Sequence, residues 1–397
     1  MPIDRFREGS QIQLTRFNPV IGTNLPKGIH SFRNPGATQG MLLLLLAQID
    51  QQALPWGSAI LVAPGLALTA GHVYDSFKKE GLLDKEGYLH AVGPHENGTI
   101  MWAVTQVQHL NISDLALLIL SPMGDMHIGR LDLSLPTIAV LAPNVGEKVF
   151  SFGFSADSSH IEVSQNIIMG EVDFQVSIGT VEEVYPIGRD RVMISWPSFM
   201  MRGRLSGGMS GGPIFNKDGF LIGINTSSND SDDPWAIFSL LWPVVVEKFT
   251  PTKSPFYEEI QMNLMDIGRR KMAFIGCQDE WAHRDPESGK LFINVQKICD
   301  PERLLERLRP DERTSALLPI HSALYTVNGG KEGEIIVLDV ASIEQIPILI
   351  KHGVGNIQLI EGRDSLLIFG EQKKFRCKRR TEKSNELVWV EFRSDDY

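Results

Sequence analysis

Ser210 sits in the run Gly207-Gly208-Met209-Ser210-Gly211-Gly212-Pro213. Glycine on both sides frees the backbone to turn tightly and lets another chain approach the serine oxygen. A serine that is to attack a carbonyl needs both. A glycine-rich turn carrying a serine is also an ordinary loop, so the run alone is ambiguous. Two upstream segments change its weight. Leu68-Thr69-Ala70-Gly71-His72 ends an apolar stretch that reads as two short strands around a Pro64-Gly65 turn. Ser113-Asp114 opens a fully apolar strand, Leu115 to Leu120. A carboxylate at the mouth of a buried strand is desolvated and takes a hydrogen-bonding partner, for which His72 is the natural candidate. Asp75 is the alternative acid, but it stands too close to His72 in the chain to orient the ring from behind.

Histidine, acid and serine, widely spaced and in that order, make a complete acyl-transfer set. Ser210 is a poor nucleophile at neutral pH. His72 takes its proton and later returns it to the leaving group, while Asp114 holds the imidazole in the useful tautomer and stabilises its cation. The backbone N–H groups of Gly208 and Ser210 face the developing oxyanion. His72 must be neutral to act as base, so hydrolysis is expected to fall as pH drops through about 6.5, the ordinary imidazole value. The chemistry needs no cofactor. His109, His127 and His283 have no metal-like spacing to a second ligand, so no metal site is expected.

These segments resemble the motifs of the chymotrypsin-like (trypsin-fold) serine peptidases. Thr69-Ala70-Gly71-His72 is similar to that family's Thr-Ala-Ala-His, Asp114-Leu115-Ala116-Leu117-Leu118 to its acid strand, and Gly208-Met209-Ser210-Gly211-Gly212-Pro213 to its nucleophile loop. Val145 to Phe154 resembles the strand that opens the second barrel. Gly219 to Thr226 resembles the strand after the nucleophile, most like that of bacterial Deg/HtrA-type members. The resemblance spans roughly residues 40 to 250 and implies a serine endopeptidase acting on protein or peptide substrates. Arg204, six residues before Ser210, takes the position at the base of the pocket for the side chain preceding the cut bond. An arginine there implies a preference for acidic side chains; a cleavage profile favouring Lys, Arg or large apolar residues would reject it. Thr226, Ser227 and Ser228 are implied to line one pocket wall and to pair with substrate. Met209 stands where many members have an aspartate that binds a newly cut N-terminus. Activation by such insertion is therefore not expected.

The elements implied are mainly β: two Greek-key barrels (41–140 and 141–250) with the site in the cleft between them. His72 and Asp114 come from the first barrel and Ser210 from the second. Residues 1–40 read as an N-terminal arm packed on the surface. Met41 to Ala47, intensely apolar but too short to span a bilayer, reads as a buried barrel strand. In the second barrel, strands are expected near 149–154, 171–176, 192–195, 212–215, 221–225 and 237–241. Pro251-Thr252-Lys253-Ser254-Pro255 reads as a boundary. Beyond it, 256–397 reads as an α+β module, with helices near 300–308 and 343–351, that regulates the peptidase or binds a regulatory protein partner. Its basic run Lys373 to Arg380 suits a solvated face or a protected strand edge.

At 397 residues the chain suggests two or three domains, and 43% apolar residues suit ordinary globular cores. A net charge of −10 argues against nucleic acid as a partner. The three cysteines, Cys277, Cys299 and Cys377, all lie beyond the peptidase region, an odd count without a close pair that fits a reducing compartment. With no apolar stretch near the start and no spanning segment, neither secretion nor membrane attachment is expected, and the location expected is cytoplasmic. The rival reading is a catalytically silent trypsin-fold protein that binds polypeptide as a scaffold.

Overall fold

The computed structural model describes residues 11–276 except 18–26, 50–51, 81–87, 111–112, 124–129, 165–166, 186–188, 190–192, 195, 230–231 and 247. Beyond 276 it describes strand segments alone. The chain divides into two compact units, one holding Met1–Tyr185, Ser198–Val245 and Phe249–Gly276, the other holding the remainder.

The first unit opens with β1 (Gln11–Arg16) and β2 (Gly28–Ser31). A closed barrel follows, made by β3 (Leu42–Ile49), β4 (Gln52–Ala63), β5 (Leu66–Ala70), β6 (Tyr88–His95), β7 (Gly98–Leu110) and β8 (Leu115–Pro122), with helix α1 (Gly71–Lys79) leaving the end of β5. Its strands adjoin in the order β3-β4-β5-β8-β7-β6. The apolar run from Met41 is indeed a barrel strand: Leu42 to Leu46 are at most 3% exposed. Each leucine so buried stabilises the fold by about 1.5–3 kcal/mol. Leu43, Leu45, Leu61, Leu118 and Leu120 close around Trp102 and Phe77.

Strands β9 (Arg130–Leu135) and β10 (Thr137–Ile138) lead to the second barrel. It is built from β11 (Lys148–Ser164), β12 (Ile167–Tyr185), β13 (Ser198–Arg202), β14 (Pro213–Asn216), β15 (Phe220–Ser228) and β16 (Trp235–Leu240). The sheet order β14-β11-β12-β13-β16-β15 closes through a β14–β15 pairing. Counted from its own first strand, each barrel therefore winds 1-2-3-6-5-4, the same path twice. The third strand is Ser198–Arg202; of the segment expected near 192–195 only residues 193 and 194 are described, and they lie in no strand. Packing decides it: Phe199 is fully buried and stacks on Phe238 of β16 at 5.1 Å, after Pro197 has set the strand start.

The N-terminal arm is partly stitched into this frame. β1 runs parallel to β9 along its length, and β2 pairs antiparallel with Gln175–Ile178 of β12. After the short helix α2 (Trp242–Val246) the chain returns to the first barrel, beyond the boundary read at Pro251–Pro255. There Gln106 donates to the Thr250 carbonyl and accepts from Thr252, and the Phe256 ring lies 6.1 Å from that of Trp102. Helix α3 (Leu264–Arg269) and β17 (Phe274–Ile275) follow, β17 pairing with β10.

In the second unit the described segments form two sheets. One contains β18 (Ala282–Arg284), β19 (Leu291–Asn294), β20 (Ala323–Thr326), β21 (Ile335–Val337) and β22 (Asn356–Ile360). The other has β24 (Lys374–Arg380) between β23 (Leu366–Phe369) and β25 (Leu387–Arg393). The basic run is thus a middle strand of its sheet rather than an edge, paired on both sides. The helices expected near 300–308 and 343–351 lie outside the described residues.

Candidate active site

His72 and Asp114 meet because their strands are neighbours. Ala70, the last residue of β5, pairs with Leu115, the first of β8, so the residues just past one end and just before the other converge. Ala70 gives α1 no side-chain cap. Asp114 supplies one: its Oδ1 accepts the His72 backbone N–H at 2.9 Å, one of the donors a helix start leaves unpaired. Its Oδ2 lies 2.7 Å from His72 Nδ1. Two contacts on one residue fix the ring against rotation and leave Nε2 as the nitrogen available for proton transfer. The carboxylate is only 14% exposed and the imidazole 43%, so the pair has a dry side and a wet side. Trp56 Nε1 donates to the Val73 carbonyl and pins the helix start from the other face. Asp75 pairs not with His72 but with His109, at 3.3 Å.

The serine loop is held almost entirely through its backbone. Gly208 and Gly211 have φ of +91° and +85°, the left-handed region that favours glycine. A Cβ on Gly211 would also lie 2.1 Å from both the Ser58 carbonyl and Thr69 Oγ1. Ser58, on β4 of the first barrel, makes three bonds across to the second. Its N–H donates to the Ser210 carbonyl at 2.8 Å, its Oγ donates to the Gly208 carbonyl at 2.8 Å, and the same Oγ accepts the Phe154 N–H at 3.0 Å. Thr69 Oγ1 donates to the Ser58 carbonyl, which explains the threonine three residues before His72. Asn225, fully buried on β15, donates through Nδ2 to the Met209 carbonyl at 2.8 Å and exchanges backbone bonds with Gly211 and Gly212. Met209 Sδ, also fully buried, accepts the Ser206 N–H.

Within this loop the N–H groups of Met209, Gly211 and Gly212 have backbone acceptors. Among the described residues those of Gly208 and Ser210 have none. Nor does any hydrogen bond among them join Ser210 to His72; such contacts are often loose until substrate binds. Arg204 is exposed, and its carbonyl accepts the Ser177 hydroxyl. Thr226 is buried and donates to the Ile237 carbonyl, so its side chain is turned into the barrel. Ser227 and Ser228 are exposed at the end of β15.

Sequence reading missed Ser58 and Asn225. The available signal was Asn225 itself, an amide directly after the apolar run Phe220 to Ile224, which has to find partners once buried. Ser58 carried no signal, because small residues before a strand are common.

Three solved structures are similar to parts of this chain. The Rv3671c protease from M. tuberculosis, in its active form, is 14% identical, with 58% of this chain and 91% of that chain covered and a TM-score of 0.37. Deg5 is 16% identical, with coverages of 51% and 85% and a TM-score of 0.36. The MamO protease domain from Magnetospirillum magneticum, in its apo form, is 16% identical, with coverages of 51% and 93% and a TM-score of 0.35. No curated protein sequence matches the chain. Residues 57–224 match the family model described as trypsin-like peptidase domain, a span that runs from the strand before His72 to the strand after Ser210. Over that span the chain is similar to trypsin-like peptidase domains, and both of its barrels are wound alike.

Proposed function

We propose that the chain is a serine endopeptidase that cuts peptide bonds through an acyl-enzyme. The observation that carries this reading is the double grip of Asp114 on His72, which presents Nε2 as a base. Ser210 Oγ attacks the substrate carbonyl carbon while its proton passes to His72 Nε2. The oxyanion meets the N–H groups of Gly208 and Ser210. The C–N bond then breaks as His72 gives the proton to the departing amine, and water repeats the sequence to release the acid. Arg204 supports a preference for acidic side chains before the cut bond. Residues 256–397 are proposed as the regulatory part, and the cysteine pattern supports a reducing, cytoplasmic setting.

The second reading is a silent trypsin-fold scaffold that binds polypeptide. A fluorophosphonate probe separates the two. The enzyme labels covalently and loses labelling in Ser210→Ala. A full-length chain that never labels, alone or with lysate supplying a partner, is the scaffold.

A further inference from the structure

The direction of an N–H in a trans peptide is fixed by its carbonyl, because the two point opposite ways across one plane. No described peptide bond is cis. The Gly207 carbonyl is taken by the Ala156 N–H of β11 at 2.8 Å, so the Gly208 N–H faces away from β11. The Met209 carbonyl is taken by Asn225 Nδ2 at 2.8 Å and by the Gly212 N–H at 3.0 Å, so the Ser210 N–H faces away from Asn225. Asn225 is itself fixed: Ser151 Oγ donates to its Oδ1 at 2.8 Å, and its Nδ2 also reaches the Phe152 carbonyl at 3.3 Å. Both Ser151 and Asn225 are fully buried.

We propose that Asn225 is a positioning residue of the oxyanion site. Its amide, locked by Ser151, aims the Ser210 N–H at the reacting carbonyl. In this chain an internal side-chain amide does what a freshly cut terminus bound to an aspartate cannot do where Met209 stands. The donors are therefore aligned in the uncut chain. This inference rests on the serine-peptidase reading and deepens it. Among the described residues no hydrogen bond joins Asn225 to His72 or Asp114, so its loss slows the reaction without changing the shape of its pH profile.

The test compares fluorophosphonate labelling rates across pH for the full chain and its variants. Asn225→Asp keeps the shape and the acceptor for Ser151 but replaces the amide donor with a carboxylate oxygen. It should slow labelling about 10²–10³-fold, the cost of one misaimed oxyanion donor, with the midpoint of the acid limb unchanged. Ser151→Ala should slow labelling less, and Ser151→Thr should restore it. Folded Asn225 variants that label at the wild-type rate overturn the inference, as does a shifted acid limb, which would place the fault at His72. If the Asn225 variants do not fold, the Ser151 pair decides: no slowing in Ser151→Ala overturns it, and slowing rescued by threonine sustains it. A wild-type chain that never labels removes the peptidase reading, and this inference with it. Normal wild-type labelling with unaffected variants removes this inference alone.

Discussion

The two halves of the candidate site are held by different means. On the first barrel a charged side chain does the holding, as Asp114 grips a ring and a helix start together. On the second barrel the holding is done by backbone carbonyls captured one after another by Ala156, Ser58 and Asn225. In the proposed reaction the first arrangement orients one group whose charge must change. The second orients two donors whose charge never changes. A carboxylate suits the former because it stabilises the imidazolium as it forms. Neutral amides and a hydroxyl suit the latter because they set direction without adding charge beside an oxyanion.

On this division the largest loss comes from cutting the charged grip. Asp114→Asn should keep the fold yet lower the rate of peptide hydrolysis about 10⁴-fold, since a neutral amide favours the wrong tautomer. Asp75→Asn, removing the neighbouring acid that pairs with His109, should leave the rate within a few-fold. Equal losses in the two variants, read from steady-state kinetics side by side, would break the comparison. A smaller loss is expected on the backbone side. Gly208→Ala forces a side chain into left-handed geometry and brings its Cβ within 2.7 Å of the Ala156 nitrogen, so the loop must shift. The rate should drop about 10²–10³-fold through kcat with KM little changed. A KM effect alone would mean that the loop binds substrate rather than the transition state. The smallest effect is on stability. Ser58→Ala leaves the half-buried Gly208 carbonyl and the buried Phe154 N–H without their Ser58 partner, and should lower unfolding free energy by about 1–3 kcal/mol in a urea titration. No change there would show that the hydroxyl does not brace the loop.

How much of this the sequence disclosed follows the same division. The charged half was legible because histidine and aspartate are conspicuous beside apolar strands, and both strand ends carry turn residues that fix where they fall. In the second barrel the serine, its flanking glycines and the strand Gly219 to Thr226 were legible too. The rest was not, for a physical reason. A captured carbonyl belongs to every residue alike, so nothing in the letters at Gly207, Gly208 or Met209 says which group takes it. Asn225 and Ser58 act across a fold whose closure brings residue 151 to 225 and residue 58 to 208 and 210, and only packing reveals that. The third strand at Ser198–Arg202 was not read from the sequence because Val and Ile near 192–195 look extended, whereas the stacked pair Phe199 and Phe238 anchors the wall. The middle position of β24 was equally hidden, since strand order is not written in a basic run.

One detail of the frame bears on how the protein should be handled. β13 pairs with Thr180–Tyr185 of β12 and stops short of Gln175–Ile178, and β2 covers that stretch instead. Residues 28–31 are in this sense the last stave of the second barrel, not packaging around it. The same four positions on β12 include Ser177, which holds the Arg204 carbonyl, and Gln175, which accepts the Ser206 hydroxyl. A version of the protein trimmed to start at Met41 would open a seam directly behind the stretch that leads into the serine loop, and would bare a row of unpaired strand groups to neighbouring molecules.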